Sequence, residues 1–210
     1  ANIQWLQEQF FSAEKKEYGD KIFEYMDEVI KKIPPGSNHL ICTPWMLGER
    51  CPVSSTTTRA TLFNISMVHT REHLMRAVYE GIGYNLRWIL ENYSRDYGFS
   101  CDNFRIIGGG ALDDTWMHII ADITGKCFSV VKDPRNAGAV GAAVVALIGL
   151  GELPGFSAAK DFVQVERCYE PDPKNRRVYD HLFENYKRVY NSLKDTYIKA
   201  NGQRFKGEEE

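Results

Sequence analysis

Three consecutive glycines, Gly108-Gly109-Gly110, close the apolar run Phe104-Arg105-Ile106-Ile107 and lead into Ala111-Leu112-Asp113-Asp114-Thr115-Trp116. An apolar run, then glycines, then a polar helix-opening sequence reads as a strand-to-helix corner. Glycine has no Cβ, so backbone at such a corner can approach a flat or charged ligand closely. The first amides of the following helix lack intrahelical acceptors and favour anions. Ligands of open α/β sheets collect at these carboxyl ends of strands. Two other readings stand beside this one. A glycine triplet can be a tight turn with no ligand at all. Gly108-x-Gly110 also begins a dinucleotide-binding fingerprint, with Asp133 placed as a ribose acid, but Asp113 occupies its third glycine position.

The other chemistry-bearing residues are more scattered. Glu49 and Arg50 lie in Gly48-Glu49-Arg50-Cys51-Pro52, where they read as a structural loop pair or as a sugar contact. His69 and His73 have no third ligand at metal spacing, and no metal site is expected. Lys174, Arg176 and Arg177 form a solvated helix face. The five cysteines are widely spaced with no C-x-x-C pair, which supports reduced thiols in a cytoplasmic protein rather than a zinc ribbon or a disulfide scaffold.

The elements that must position these residues alternate between helix and strand, so the class is α/β. Ile3, Leu6 and Phe10 recur at helical spacing from the start of the chain, leaving no room for a cap or strand before them. A second helix is expected over 20–32, capped by Asp20 and stopped by Pro34-Pro35-Gly36, with Ile22, Met26, Val29, Ile30 and Ile33 as its stripe. A short buried strand follows at 39–43, then an irregular polar stretch at 44–58, of a length often functional. A long helix spans 70–97, with Gly81 and Gly83 admitting a close neighbour. Buried strands are expected at 104–107 and 128–131. Between them lies a helix carrying Trp116, Ile119, Ile120 and Ile123, with Gly125 at its C-cap. A small-residue helix covers 137–148, and a last helix opens at Asp172-Pro173. Residues 201–210 read as a disordered tail. Three visible strands make a poor sheet for 210 residues, which suggests that the first strands of the fold are missing.

Composition narrows the function classes. The chain is 43% hydrophobic and its formal net charge is −2, so it can bury a core and has no electrostatic reason to bind nucleic acid or an anionic membrane. No apolar run approaches the roughly 20 residues of a membrane helix, and no signal peptide opens the chain.

Four segments taken together resemble the FGGY carbohydrate kinases, which include xylulokinase, gluconokinase and glycerol kinase. They are Ala1-Asn2-Ile3-Gln4-Trp5-Leu6; Gly48-Glu49-Arg50-Cys51-Pro52 with Arg59, His69, Arg76-Ala77 and Glu80-Gly81 beyond it; the Gly108–Trp116 corner extended by Ala121-Asp122-Ile123-Thr124-Gly125; and Ala137-Gly138-Ala139-Val140-Gly141-Ala142-Ala143. The resemblance covers about 1–152, and the Gly-Glu-Arg-x-Pro segment is most similar to the xylulokinase branch. It implies a ribonuclease-H-like lobe of the actin-like ATPase type without its first strands. It assigns residues 1–200 to the C-terminal nucleotide-binding lobe of a two-lobe enzyme. That enzyme transfers the ATP γ-phosphoryl group to a sugar hydroxyl, with Mg²⁺ held mainly by the N-terminal lobe. The implied partners are sugar, ATP and that lobe, with a homodimer as a further possibility.

The resemblance also implies site residues. Gly109, Gly110 and Ala111 would line adenine and ribose. Asp114 would meet the purine or ribose, where glycerol kinase has an Asn, or else serve as an N-terminal helix charge. Gln4 would contact nucleotide or be an exposed helix residue. Trp116 is expected in the core and Ala137–Ala143 in close helix packing behind the site. The family's Asp-x-Gly-Thr phosphate motif and catalytic Asp have no counterpart here, so no catalytic residue is assigned and the fragment alone is expected to be inactive. The stretch Ser54–Ala60 departs from the family's acidic and Arg-Gly pattern, which leaves the sugar unread. Two other classes stay open: a non-catalytic structural or oligomerisation module with a decayed nucleotide site, and a dinucleotide-binding domain.

Overall fold

The computed structural model describes residues 2–202. Helices α1 (Asn2–Phe10), α2 (Ser12–Tyr18) and α3 (Ile22–Ile30) lead to strands β1 (Ile41–Thr43) and β2 (Thr61–Phe63). The long helix α4 (Arg71–Tyr97) follows, then β3 (Asn103–Ile106), α5 (Asp114–Thr124), β4 (Cys127–Val131), α6 (Ala137–Gly149), β5 (Val165–Tyr169) and α7 (Arg176–Asn201). The α/β expectation holds, but the five strands form two sheets. β1 and β2 pair antiparallel; β3 and β4 pair parallel, with β5 antiparallel on β4. The sequence reading missed β2 and β5. β2 is three residues long, and β5 carries the adjacent charges Glu166 and Arg167, which break the apolar alternation of a strand.

Helix α4 is the spine. Thr70 and His73 cap it reciprocally, His73 Nδ1 lying 3.1 Å from Thr70 Oγ1 and 3.3 Å from Thr70 N. His73 is therefore a capping residue, and His69 Nδ1 likewise accepts from Ser66 N at 2.9 Å. Gly81 and Gly83 admit close neighbours, as expected. A Cβ on Gly81 would stand 2.2 Å from Cys42 O, and one on Gly83 2.7 Å from Ile123 Cδ1. Without side chains there, β1 and α5 settle directly on the α4 backbone.

One core joins α1, α3, β1, α4 and α7 through Phe11, Met26, Trp45, Tyr84, Tyr186 and their neighbours. A second joins α5 to β4 and β5 through Met117, Ile120, Phe128, Val130 and Tyr169, and Trp116 packs against both. A buried polar network pins the first. Arg76 donates to Glu80 (2.8 Å), Ile30 O (2.9 Å) and Tyr179 Oη (3.0 Å). Glu80 also accepts from Gly36 N and Ser37 Oγ, fixing the turn after α3.

Several local expectations change. Asp20 does not cap α3: a 3₁₀ turn at Gly19–Lys21 precedes it and Lys21 holds the cap position without a side-chain bond. β3 is half-exposed rather than buried, because it is the edge of its sheet. Asn201 closes α7 and donates to Thr57 O at 2.9 Å, so it is not part of a disordered tail; the rest of that expectation, residues 203–210, lies outside the described residues. Helix α6 buries only Val144. Its glycines 138 and 141 have no atom within 4 Å of a built Cβ, so the expected close packing is absent among the described residues. Nor is any helix among them long and apolar enough to cross a membrane.

Candidate functional site

The glycine corner has a different local structure from the one its sequence suggests. Gly108 takes the left-handed φ of 98° that turns the chain out of β3, and its N–H donates to Pro134 O at 2.8 Å. Gly109–Leu112 then form a 3₁₀ turn before α5 begins. Asp113 is the N-cap of α5, its Oδ1 accepting from Trp116 N at 2.9 Å. Asp27 reaches across from α3 to accept from Thr115 N at 3.3 Å, while Lys31 binds its other oxygen at 2.5 Å. Two carboxylates thus already occupy the first amides of α5. The expected anion-binding helix terminus is closed by the protein's own acids.

These acids differ in state. Burial, together with the charges of Asp27 and Asp114, outweighs the Trp116 hydrogen bond and pushes Asp113 up to about 6. Burial also opposes ionisation of Asp27, but hydrogen bonds from Lys31 and Thr115 prevail and hold its pKa below the usual value.

A cavity of about 860 Å³ opens in front of this corner, a size suited to a cofactor or small-molecule ligand. One wall is α1 and the loop after β1, with Gln4, Pro44 and Glu49. The opposite wall is α3 and the turn before it, with Asp20, Phe23, Glu24 and Asp27. Gly109, Gly110, Asp113, Asp114 and Trp116 form the base of the cavity, and Arg135 is the only basic residue on its lining among the described residues. Tyr79 and Trp116 also line it, the Tyr79 hydroxyl interacting with Asp113, while the buried Trp116 Nε1 has no hydrogen-bond partner among the described residues.

Of the residues expected at a nucleotide site, the fold brings Gln4, Gly109, Gly110 and Asp114 to this one cavity. Ala111 does not line it; its side chain is buried in the second core. Asp114 lines it with an oxygen already bonded to Arg167 and Tyr169. Gly110 excludes a side chain because of Trp116: a Cβ would sit 2.4 Å from Trp116 Cζ3. A Cβ on Gly109 would meet only Arg135 Nε, at 4.0 Å. Trp116 does pack in the core, edge-on to Tyr79 at 5.3 Å, while also lining the cavity. Glu49 is a loop anchor, but its partner is not the Arg50 guanidinium. Its carboxylate accepts from the Arg50 and Cys51 amides (2.7 and 3.3 Å) and from Asn85 Nδ2 (3.2 Å), which Trp45 in turn orients.

Sequence reasoning missed the α3 wall and Arg135. A signal existed for Phe23: it stands off the buried Ile22, Met26, Ile30 stripe, an aromatic on the polar face of an amphipathic helix. Arg135 carries none, since the loop after β4 has no periodicity.

Comparison with known proteins agrees with this architecture. Residues 1–150 match the model of the FGGY family of carbohydrate kinases, C-terminal domain. The chain is 35% identical over 175 residues to the xylulose kinase of Bacillus subtilis (strain 168), covering 82% of this chain and 34% of that kinase. Its fold superposes on ligand-bound xylulose kinase from Lactobacillus acidophilus with a TM-score of 0.82 at 26% identity, over 95% of this chain and 39% of the other. The match to the xylulose kinase of Rhodospirillum rubrum has a TM-score of 0.79 at 29% identity, over 93% and 38%. The chain belongs to the FGGY carbohydrate kinases and is the C-terminal domain of that family, with an actin-like ATPase fold. It is xylulokinase-like, and it spans little more than a third of the length of these relatives.

Proposed function

We propose that this chain is the nucleotide-binding lobe of an ATP-dependent sugar kinase that phosphorylates a sugar hydroxyl in the manner of xylulokinase. The observation that carries the reading is the convergence of Gln4, Gly109, Gly110 and Asp114, from distant parts of the sequence, on one ligand-sized cavity. The backbone of Gly109 and Gly110 offers a surface without side chains to adenine and ribose, Gln4 a free amide from the facing wall, and Asp114 a carboxylate at the rim. Together with the three-stranded sheet, whose β3 edge is unpaired among the described residues, this supports a ribonuclease-H-like lobe spanning 1–200 that lacks its first strands. The uncovered apolar face of α6 is where the rest of the kinase would dock.

Phosphoryl transfer depends on positioning and on stabilising charge at the γ-phosphoryl group. In this assignment the chain holds the leaving nucleotide. The N-terminal lobe would supply the base, the sugar contacts, the phosphate motif and most ligands of a Mg²⁺ ion, which would offset phosphate charge when bound. No group of three or more His, Cys, Asp or Glu among the described residues is arranged to hold a metal ion. Coupled ADP-release assays across pentuloses, hexuloses, gluconate and glycerol test the division of labour. The isolated chain should show no turnover, and adding the N-terminal lobe should restore it. Ordinary kinase rates from the chain alone would overturn the assignment.

A further inference from the structure

Four of the chain's five histidines gather round one turn, the one that leads from α3 into β1. There Gly36, Ser37, Asn38 and His39 take φ values of 82°, 47°, 53° and 66° in succession. Glycine enters the left-handed region freely, but three consecutive residues with side chains do so only where their surroundings hold them. Glu80 accepts from Gly36 N at 2.8 Å and from Ser37 Oγ at 2.9 Å, and Asn64 Nδ2 donates to His39 O at 3.1 Å. The rest of the grip comes from two histidines. His69 Nε2 lies 3.1 Å from Asn38 O, and His73 Nε2 lies 2.9 Å from the Asn38 side-chain amide.

The other nitrogen of each ring fixes where its hydrogen sits. His69 Nδ1 accepts from Ser66 N at 2.9 Å, and His73 Nδ1 accepts from Thr70 N at 3.3 Å. A backbone N–H can only donate. Both Nδ1 atoms are therefore bare, and each neutral ring carries its hydrogen on Nε2, aimed at Asn38. The backbone carbonyl of Asn38 accepts one, and its side-chain amide oxygen accepts the other. A second proton must enter at Nδ1, where it meets an N–H that cannot turn round. It expels Ser66 N from His69, and it expels the Thr70 N–H, the cap of α4, from His73. The two rings stand 5.6 Å apart, so paired imidazolium charges also repel. The exposed His39 and His181, 6.3 Å apart, add to that repulsion when charged. Glu72 on the first turn of α4 favours a charged His73 and opposes these effects. Arg71 is bound to Glu14 of α2 and to Glu72, and Arg76 is paired with Glu80 beneath the turn.

We propose that His69 and His73 form a proton-operated latch, closed when both are neutral, that holds the left-handed turn 36–39 against the first turn of α4 and releases both on acidification. The turn feeds β1, which rests on α4 at Gly81, and the loop after β1 brings Pro44 and Glu49 to the cavity. The latch ties acidification to the strand that positions one wall of that cavity, and it stands whether or not the cavity takes a nucleotide. His73 sets the direction. Burial first, then the charge of His69, hold it below the ordinary histidine value of 6.5, with Glu72 opposing. The released state therefore binds more protons than the closed one. The closed latch is at its most stable above 6.5 and loses stability as pH falls below that value.

The test follows the 210-residue chain by NMR and amide hydrogen exchange from pH 7.5 to pH 5. At the upper end the ring nitrogen resonances of His69 and His73 should show hydrogen on Nε2 and none on Nδ1. The His39, Leu40 and Leu74 amides bond to the Gly36, Ser37 and Thr70 carbonyls. Their protection, corrected for the intrinsic exchange rate, should fall below 6.5 by up to about tenfold per pH unit for each proton taken up. The Tyr186 amide, in the middle of α7, should keep its protection. His73→Gln retains a side chain that can cap α4 from the third position but cannot titrate, and should weaken the pH dependence. The double variant His69→Gln/His73→Gln should abolish it at these amides. An Nδ1–H tautomer at either ring of the neutral wild type, protection at the turn that does not change with pH, or wild-type pH dependence in the double variant overturns the latch. The first two readings use the wild-type chain, so they decide the proposal even where the double variant fails to fold.

Discussion

Replacing Gly110 with Ala separates packing from ligand contact at the glycine corner. The added methyl carbon would start 2.4 Å from Trp116 Cζ3 and 3.1 Å from Cε3, well inside van der Waals contact. Trp116 cannot yield freely, because its ring is fixed edge-on to Tyr79 at 5.3 Å and its backbone N–H is held by Asp113. Overpacking of this kind costs about 1–3 kcal/mol. Gly110 has no left-handed φ, so Ala gains about 0.4–1 kcal/mol from a stiffer unfolded chain. The net expectation is a loss of about 1–2 kcal/mol. For a chain of this size each kcal/mol lowers Tm by about 2–4 °C, so the drop should be about 2–8 °C in the absence of any nucleotide. Gly109→Ala is the control. Its methyl would meet only Arg135 Nε at 4.0 Å, so Tm should hold while ADP affinity falls if the backbone there faces ligand. The comparison is made by thermal denaturation of the two apo variants. If Gly110→Ala melts with the wild type, Trp116 is not what demands glycine there.

Arg76→Met should destabilise the fold by about 3–5 kcal/mol, because it leaves the 1%-exposed Glu80 without its countercharge; the double variant Arg76→Met/Glu80→Gln should recover part of that loss in urea denaturation. Asp113→Asn keeps the N-cap but removes the titration. Wild-type Asp113 holds its proton up to about 6 when folded, against 3.8 as its reference, so between these values the folded state binds more protons and this group's contribution to stability falls as pH rises. The Tm of Asp113→Asn minus that of wild type should therefore increase from pH 4 to pH 7; a flat or falling difference would show that the proton is not held there.

Much of the fold was legible because its signals are local. The Thr70 to Tyr97 periodicity, the Pro34-Pro35-Gly36 stop and Gly125 as a C-cap each depend on a few neighbouring residues. So did the two helix glycines, whose role needs only a close neighbour. The failures were non-local. Asp20 reads as a cap, yet the chain enters α3 through a 3₁₀ turn. Asp113 and Asp27 differ in character as well as position: one belongs to a recognisable corner, the other to an ordinary amphipathic helix, and only the packing of α3 on α5 brings them to neighbouring amides. The exposed face of α6 could not be foreseen either, since its Ala and Gly pattern reports that something can pack closely but not whether that partner is present. The site was half-legible for the same reason. The glycine corner announces itself, whereas Phe23 and Arg135 matter only through the cavity they share with it.

The central claim is that this chain holds a nucleotide in the cavity before Gly109 and Gly110. Titrating ADP into isotopically labelled chain and following its backbone amides tests that claim most directly. Saturable shifts at Gln4, Phe23, Gly109, Gly110 and Asp114, with the distant helix α7 unmoved, are the predicted result. Silence at these residues at millimolar ADP, or saturable shifts centred on another surface, would contradict it.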